Sequence, residues 1–268
     1  MSGTDQTAAA LFHAGRLDDA VAAAQAALRK APTDINARVL LGELLAFTGN
    51  LERADVVLDA ASAIDPSTAL VVAEFRQLVR ADMARRQLFR DGRVPEFLAD
   101  PTETQRLQLA ALVALRAGDL AEAMRQTEAA EAARPRAPGR HGDAAFDDMR
   151  DADDLLAGSF EVLTTTGKYF WIPTERVQTL EFHPPKRPRD LLWRRASMSV
   201  AEGPDGEVYL PAVYAADDAM NDALRLGRET DWRQGDGGPV RGVGQRLFII
   251  GEDAVPMLEL SSFRYDIA

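Results

Sequence analysis

The sequence contains no cysteine and only three histidines, His13, His141 and His183. The absence of cysteine excludes disulfides, thiolate metal sites and cysteine nucleophiles. The histidines lie in separate segments without the spacing of metal ligands, so no metal site is predicted. The glycine motifs of phosphate and dinucleotide sites and the serine elbow of hydrolases are also missing. The sequence therefore predicts no cofactor, no catalytic residue and no enzyme.

Long apolar runs and excess positive charge are missing too. No stretch approaches the roughly 20 consecutive apolar residues that a membrane-spanning helix needs. Residues 1–10 carry no positive charge ahead of an apolar run, as a signal peptide would. The formal net charge of -11 argues against broad electrostatic binding to nucleic acid or to an anionic membrane. We therefore expect a cytoplasmic protein that binds neither.

A 34-residue repeat occupies the first half of the chain. The matched positions are Gly15 and Gly49, Ala20 and Ala54, Ala24 and Leu58, Ala27 and Ala61, and Pro32 and Pro66. This period is that of the tetratricopeptide repeat (TPR), with one helical hairpin per repeat. Each glycine can end the first helix in a left-handed conformation, and each proline stops the second helix. A further copy surrounds Gly118, and a degenerate unit with a long helix at residues 68–90 precedes it.

In the second half, apolar residues alternate with a period of two, which is typical of strands. Hairpins are predicted around Gly167 and around residues 203–206, with a short strand at 177–182. Further strands are predicted at 246–250 and 257–265, and a helix at 217–226. The fold class is therefore α+β, with TPR-like α-helical hairpins followed by a smaller β-rich domain, as a curved sheet or partial barrel. We expect domains at 1–135 and 146–268, with a linker at 136–145.

An acidic segment opens the second domain. Its apolar residues have helical spacing, so a short acidic helix is predicted over residues 146–156. A calcium loop would need alternating ligands and a terminal glutamate, which this spacing contradicts. We interpret the acidic side as a solvated helix face, with an acidic surface for a partner or for the same chain as the alternative.

A proline- and arginine-rich segment at residues 181–195 is the most unusual stretch, with five basic residues between Lys186 and Arg195. Its prolines keep the chain extended. In one interpretation its arginines pair with the acidic helix; in the other it is a docking surface for another protein, and both can hold. The residues assigned to this structural or docking motif are Asp147, Asp151, Asp153, Arg187, Arg189, Asp190, Trp193 and Arg194.

Four segments together resemble the ImpE/TagJ family. They are residues 146–156, 167–173, 180–195 and 206–214. The resemblance implies a non-catalytic accessory role in bacterial type VI secretion, beside the contractile sheath. It also implies association with the small sheath subunit TssB and, through TssB, a link to the ClpV unfoldase that recycles sheaths.

TPR-like repeats form a concave surface that can bind a peptide or a helix. The residues predicted to line such a groove lie on the first helices of the repeats: Leu11, Phe12, Leu44 and Phe47. Core packing explains the same residues about as well. Two alternatives to an adaptor for TssB stay open. They are a regulatory scaffold for another peptide, and an enzyme of unknown type that uses the acidic helix and the basic loop.

Overall fold

The computed structural model describes residues 6–215, 220–235 and 237–266. Helices dominate the first half and strands the second, which confirms the predicted α+β class. No helix in these ranges is both long and apolar enough to cross a lipid bilayer. The helices are α1 (Ala8–His13), α2 (Leu17–Lys30), α3 (Ile35–Phe47), α4 (Leu51–Ile64), α5 (Ala69–Asp91), α6 (Glu103–Arg116), α7 (Leu120–Ala133) and α8 (Asp222–Arg225).

The repeat of 34 residues folds into TPR-like hairpins, as predicted. Gly15, Gly49 and Gly118 join α1 to α2, α3 to α4 and α6 to α7, with φ angles of +79°, +75° and +77°. Glycine is favoured there because other residues are strained at positive φ. Ala20 and Ala54 are fully buried at the helix contacts. The degenerate unit supplies α5, a helix of 23 residues.

The described residues of the second half form three antiparallel sheets. The largest has eight strands in the order β2-β1-β13-β6-β7-β8-β4-β5 and is not closed into a barrel within the described residues. Smaller sheets pair β10 with β9 and β12 with β11 and β3. The strands are β1 (Gly139–His141), β2 (Ala144–Phe146), β3 (Met149–Asp151), β4 (Ser159–Leu163), β5 (Tyr169–Pro173), β6 (Val177–Phe182), β7 (Trp193–Val200), β8 (Asp205–Pro211), β9 (Thr230–Arg233), β10 (Arg241–Gly244), β11 (Leu247–Ile250), β12 (Asp253–Pro256) and β13 (Ser262–Tyr265).

The predicted hairpins are present as β4–β5 and β7–β8, and the predicted single strand is β6. The strands β3, β9, β10 and β12, of three or four residues each, are not among the predicted strands. The helix predicted at 217–226 is reduced to α8, a helix of four residues. Positions 217–219 of that prediction lie outside the described residues.

The predicted acidic helix over residues 146–156 is wrong. This stretch contains the end of β2, all of β3 and a turn. Asp151 Oδ1 accepts a hydrogen bond from the backbone N–H of Asp153, and Asp153 Oδ1 accepts one from that of Leu155, both at 2.8 Å. Short acidic side chains that bond the local backbone in this way compete with helical hydrogen bonds. The aspartates therefore build a turn instead of a helix face.

The predicted linker at 136–145 contains β1 and most of β2. β1 pairs with β13, so this stretch belongs to the main sheet. The covalent link between the helical half and the β-rich half is therefore limited to the few residues between α7 and β1. The domain division at residue 135 stays a prediction.

One apolar core extends through both halves. Phe75 of α5 belongs to the same buried cluster as Trp171 of β5 and Trp193 of β7. The rings of Phe75 and Trp193 meet edge to face, with centroids 6.1 Å apart. A second cluster, with Phe160 and Phe248, lies within the β-rich half. Because the two halves share the first core, a binding surface can contain residues from both halves.

Candidate partner-binding groove and buried charge network

A groove lies between the first two turns of α3 and the first two turns of α5, with a volume of about 380 Å³. We call it the α3–α5 groove. Val71 is 45% exposed and the adjacent Leu70 is 72% exposed, so apolar surface continues beyond it. Exposed apolar patches of this kind mark interaction sites. Its apolar lining comprises Ile35, Val39, Leu40, Val71, Val72 and Phe75.

Polar side chains line the groove as well, and one of them, Glu43, is a carboxylate. Glu43 of α3 is only 3% exposed, and its Oε1 has no hydrogen-bond partner among the described residues. Arg189 Nη1 lies 3.7 Å from that oxygen, beyond hydrogen-bonding distance. Burial raises the pKa of Glu43 to about 7, and the charges of Arg189 and Arg187 oppose this only in part. The free protein therefore holds a buried carboxylate oxygen that has Arg189 as a counter-charge but accepts no hydrogen bond from the described residues.

The proline- and arginine-rich segment closes one end of the α3–α5 groove. A 3-10 turn at Pro188–Leu191 is fixed by Asp190, whose Oδ2 accepts from the backbone N–H of Arg187 at 3.0 Å. The guanidinium of Arg189 lies over the ring of Phe75, 4.6 Å from its centroid. Arg187 and Arg189 both line the groove. The segment therefore docks on the helical half.

The predicted ion pairs between the acidic segment and this loop are wrong. Asp147 pairs with Arg136 at the surface, at 3.3 Å. Asp151 pairs with Arg246, and Asp153 bonds backbone N–H groups. The physical reason is topological: β3 and the turn after it pack beside β11, whereas the loop packs on α3 and α5.

Trp193 and Arg194 follow the loop but are part of the interior. Trp193 is buried against Phe75. The guanidinium of Arg194 lies 4.9 Å from the ring centroid of Phe182, and its Nη1 donates to the backbone oxygen of Met257 at 2.8 Å. Trp193 therefore joins the β-rich half to α5, whereas Arg194 holds parts of the β-rich half together.

The four residues predicted to line a partner groove lie in the core. Leu11, Phe12, Leu44 and Phe47 are all buried. The rings of Phe12 and Phe47 meet edge to face, with centroids 5.3 Å apart, and so pack α1 against α3. The groove is formed instead by an earlier part of α3, where Val39 is partly exposed.

A buried charge network joins α5 to the β-rich half. Arg85 of α5 donates to both carboxylate oxygens of Glu161 of β4, at 2.9 Å each. Arg246 donates to Glu161 and to Asp151, both at 3.0 Å. The hydroxyl of Tyr169 donates to Glu161 at 2.5 Å. The four charged residues are each at most 3% exposed, so the network lies in a nearly water-free environment.

These contacts and burial set the pKa values of the acidic groups. Burial would raise the pKa of Glu161, but Arg85 and Arg246 hold it below its ordinary value. Burial and the nearby charge of Asp151 raise the pKa of Asp153 to about 7. Sequence reasoning missed this network. A signal that could have found it is the one glutamate inside the apolar strand that contains Phe160 and Val162.

A cleft of about 580 Å³ lies beside this network. Arg85, Arg86 and Tyr214 line it, but their polar groups are already engaged with carboxylates. Arg86 Nε donates to Asp82 at 3.2 Å, and the hydroxyl of Tyr214 donates to Asp151 at 2.8 Å. Within the described ranges, no three His, Asp or Glu side chains are grouped to hold a metal ion.

Known proteins resemble this chain along nearly its whole length. Residues 143–264 match the model of the ImpE protein family, and residues 11–73 match that of the tetratricopeptide repeat. The type VI secretion system accessory component TagJ of Pseudomonas aeruginosa is 35% identical over 259 residues, which cover 96% of this chain and 90% of that protein. The crystal structure of protein VPA1032 from Vibrio parahaemolyticus superposes with a TM-score of 0.91 at 28% identity, covering 97% of this chain and 98% of that one. The chain therefore belongs to the ImpE/TagJ family, as its motifs predicted.

Proposed function

We propose that this chain is a non-catalytic accessory component of a bacterial type VI secretion system. The observation that carries the proposal is the 35% identity, over almost the entire chain, to a type VI accessory component. In this role the α3–α5 groove binds an amphipathic helix of the small sheath subunit TssB. TssB then links the chain to ClpV-dependent sheath recycling. On this proposal the protein works in the cytoplasm.

The lining of the α3–α5 groove supports a helix as the occupant. Ile35 and Val39 lie four positions apart on α3, and Val71 and Phe75 lie four positions apart on α5. Residues at this spacing share one face of a helix. An amphipathic helix inserts apolar side chains at three- and four-residue spacing into such a groove. Its binding would cover Val71, which is exposed in the free chain.

The groove needs both halves of the chain. Arg187 and Arg189 of the β-rich half close one end of it, and the core beneath Phe75 includes Trp193. A fragment limited to residues 1–135 would lack these groups and would expose the apolar side of α5. Binding is therefore a property of the full chain, and the full chain is the correct object for experiments.

The structure does not favour the enzyme alternative. That alternative needs the acidic segment and the basic loop to form one polar surface. The structure separates them: Asp151 lies in the buried network, while Arg189 lies at the groove. The scaffold alternative uses the same groove with a different peptide, so the identity of the partner separates it from our proposal.

The test is titration calorimetry of the full-length chain with TssB from the same genome. We expect saturable binding that Val71→Asp or Val39→Asp weakens by about 100-fold, because each places a carboxylate in an apolar contact. Val113→Asp is the matched control, since Val113 is 58% exposed on α6 and lies outside the groove. It should leave the affinity unchanged.

Two results would contradict the proposal. If neither TssB nor an assembled TssB–TssC sheath binds the full chain, the partner is wrong. If TssB binds wild type and both groove variants equally, the binding surface is wrong. A different peptide that binds wild type and is lost in Val71→Asp would identify the scaffold alternative.

A further inference from the structure

Glu43 is not explained by the stability of the free chain. Its side chain is almost completely buried in the lining of the α3–α5 groove, and Oε1 has no hydrogen-bond partner among the described residues. Buried polar groups are nearly always hydrogen-bonded, because leaving one unpaired is strongly unfavourable. A leucine at this position would match the adjacent Leu40 and Val39 and would avoid this penalty. The exception therefore points to a group that arrives from outside.

The neighbouring charges do not fill this role. Arg189 is held over the ring of Phe75 and stays 3.7 Å from Oε1. Asp190 is occupied by the backbone N–H groups of Lys186 and Arg187, at 2.8 and 3.0 Å. These contacts fix the rim of the groove, while Oε1 of Glu43 accepts no hydrogen bond from the described residues.

We infer that Glu43 selects the occupant of the α3–α5 groove: the bound helix carries one lysine or arginine on its apolar face, which pairs with the carboxylate of Glu43. This inference rests on the proposed function, since it assumes a helix in that groove. It adds a specificity-determining residue and a rule for the partner sequence that the comparisons do not provide.

The chemistry favours a cation over other side chains. A helix that covers the groove removes the remaining water from Glu43, and the penalty of the buried charge then rises. An aliphatic side chain opposite Glu43 leaves its carboxylate with Arg189, at 3.7 Å, as its counter-charge, and an acidic one adds repulsion to Glu43. A neutral donor makes a hydrogen bond but does not offset the charge. Lysine or arginine does both, and such charge-assisted bonds are the strong ones.

The experiment is a double-mutant cycle with the full-length chain and the TssB helix peptide. The cation on the apolar face of the peptide is replaced by leucine, and the chain carries Glu43 or Glu43→Leu. We expect the peptide change to weaken binding at least tenfold on wild type, about 1.4 kcal/mol, and by less than about twofold on Glu43→Leu. Replacing a lysine on the polar face of the peptide is the control, and it should show no coupling.

Additive effects, or a TssB helix that binds tightly with no cation on its apolar face, would overturn this inference and leave the proposed function intact. If TssB does not bind at all, the proposed function is wrong. The role of Glu43 is then tested with a displayed library of amphipathic helices. The library is randomised at the centre of the apolar face, selected on wild type and counter-selected on Val71→Asp. Enrichment of lysine and arginine on wild type but not on Glu43→Leu supports the role of Glu43.

Absence of that enrichment overturns the inference. A second copy of the chain is the remaining candidate occupant, and sedimentation of the free chain tests it. A dimer that Val71→Asp dissociates would mean that a second copy fills the groove, which would also overturn the inference. Glu43→Gln serves as a second variant if Glu43→Leu does not fold. Glu43→Gln keeps the shape of the side chain and removes its charge, so the tenfold preference for a cation on the peptide should be lost in this variant.

Discussion

The burial of the Glu43 carboxylate, whose Oε1 accepts no hydrogen bond from the described residues, has a measurable consequence in the free protein. Its pKa is raised from an ordinary value of 4.5 to about 7, first by burial, with Asp190 adding to the effect and Arg189 and Arg187 opposing it. A raised carboxyl pKa means that the folded state favours the protonated form. Stability is then fully present below about pH 4.5 and is lost as the pH rises through 7. Glu43→Gln removes this titration while it keeps the shape of the side chain.

The magnitude follows from the shift. A difference of about 2.5 pKa units at 1.36 kcal/mol per unit gives about 3 kcal/mol. Because Glu43 is only 3% exposed, solvent screening does not reduce this figure much. Glu43→Gln should therefore gain about 3 kcal/mol of unfolding free energy relative to wild type between about pH 4.5 and pH 8.

Urea denaturation of both proteins across this pH range measures that difference. Other titrating groups are common to both proteins, so their contributions cancel. A difference that is constant with pH would refute the reasoning. So would a wild type that gains stability over Glu43→Gln as the pH rises, since either result would mean that the fold satisfies the ionised carboxylate.

Further predictions concern the interior, and urea denaturation checks each of them. Ala54→Leu forces a larger side chain between α3 and α4 and should destabilise the chain by about 1–3 kcal/mol; an unchanged midpoint would mean that the helices do not cross closely there. Glu161→Leu removes the carboxylate that the two buried arginines share, which leaves Arg85 with Asp82 and Arg246 with Asp151, and it should lose about 3–5 kcal/mol; a loss near zero would mean that water solvates the network. Trp193→Ala removes a large side chain from the shared core and should also lose about 3–5 kcal/mol. Arg136→Ala breaks only the exposed pair with Asp147, so it is the matched control and should leave stability nearly unchanged.

Local patterns allowed the helical half to be predicted. Gly15 and Gly49 mark turns through their own conformational freedom, and the alanines between them mark close helix contacts. These signals depend on residues near in sequence. Apolar residues at helical spacing also predicted a helix over residues 146–156, and that prediction is wrong. There the aspartate side chains bond their own backbone, and this competes with the helix although the apolar spacing stays the same.

The charge network and the groove could not be predicted for a different reason. Arg85 and Glu161 are 76 positions apart, and Asp151 and Arg246 are 95 positions apart. No sequence period connects such partners. The groove depends on which side of α3 meets α1, and that contact buries Phe47 and leaves the earlier turns open. Helical spacing alone does not separate these two faces.

The central claim is that TssB binds in the α3–α5 groove. Site-specific photo-crosslinking tests it most directly, with benzoyl-phenylalanine placed at Val71 or, as the control, at Val113 of the full-length chain. We expect TssB to crosslink from position 71, through one helix that mass spectrometry can identify, and not from position 113. Crosslinks from position 113 without any from position 71, under conditions in which the two proteins bind, would contradict it.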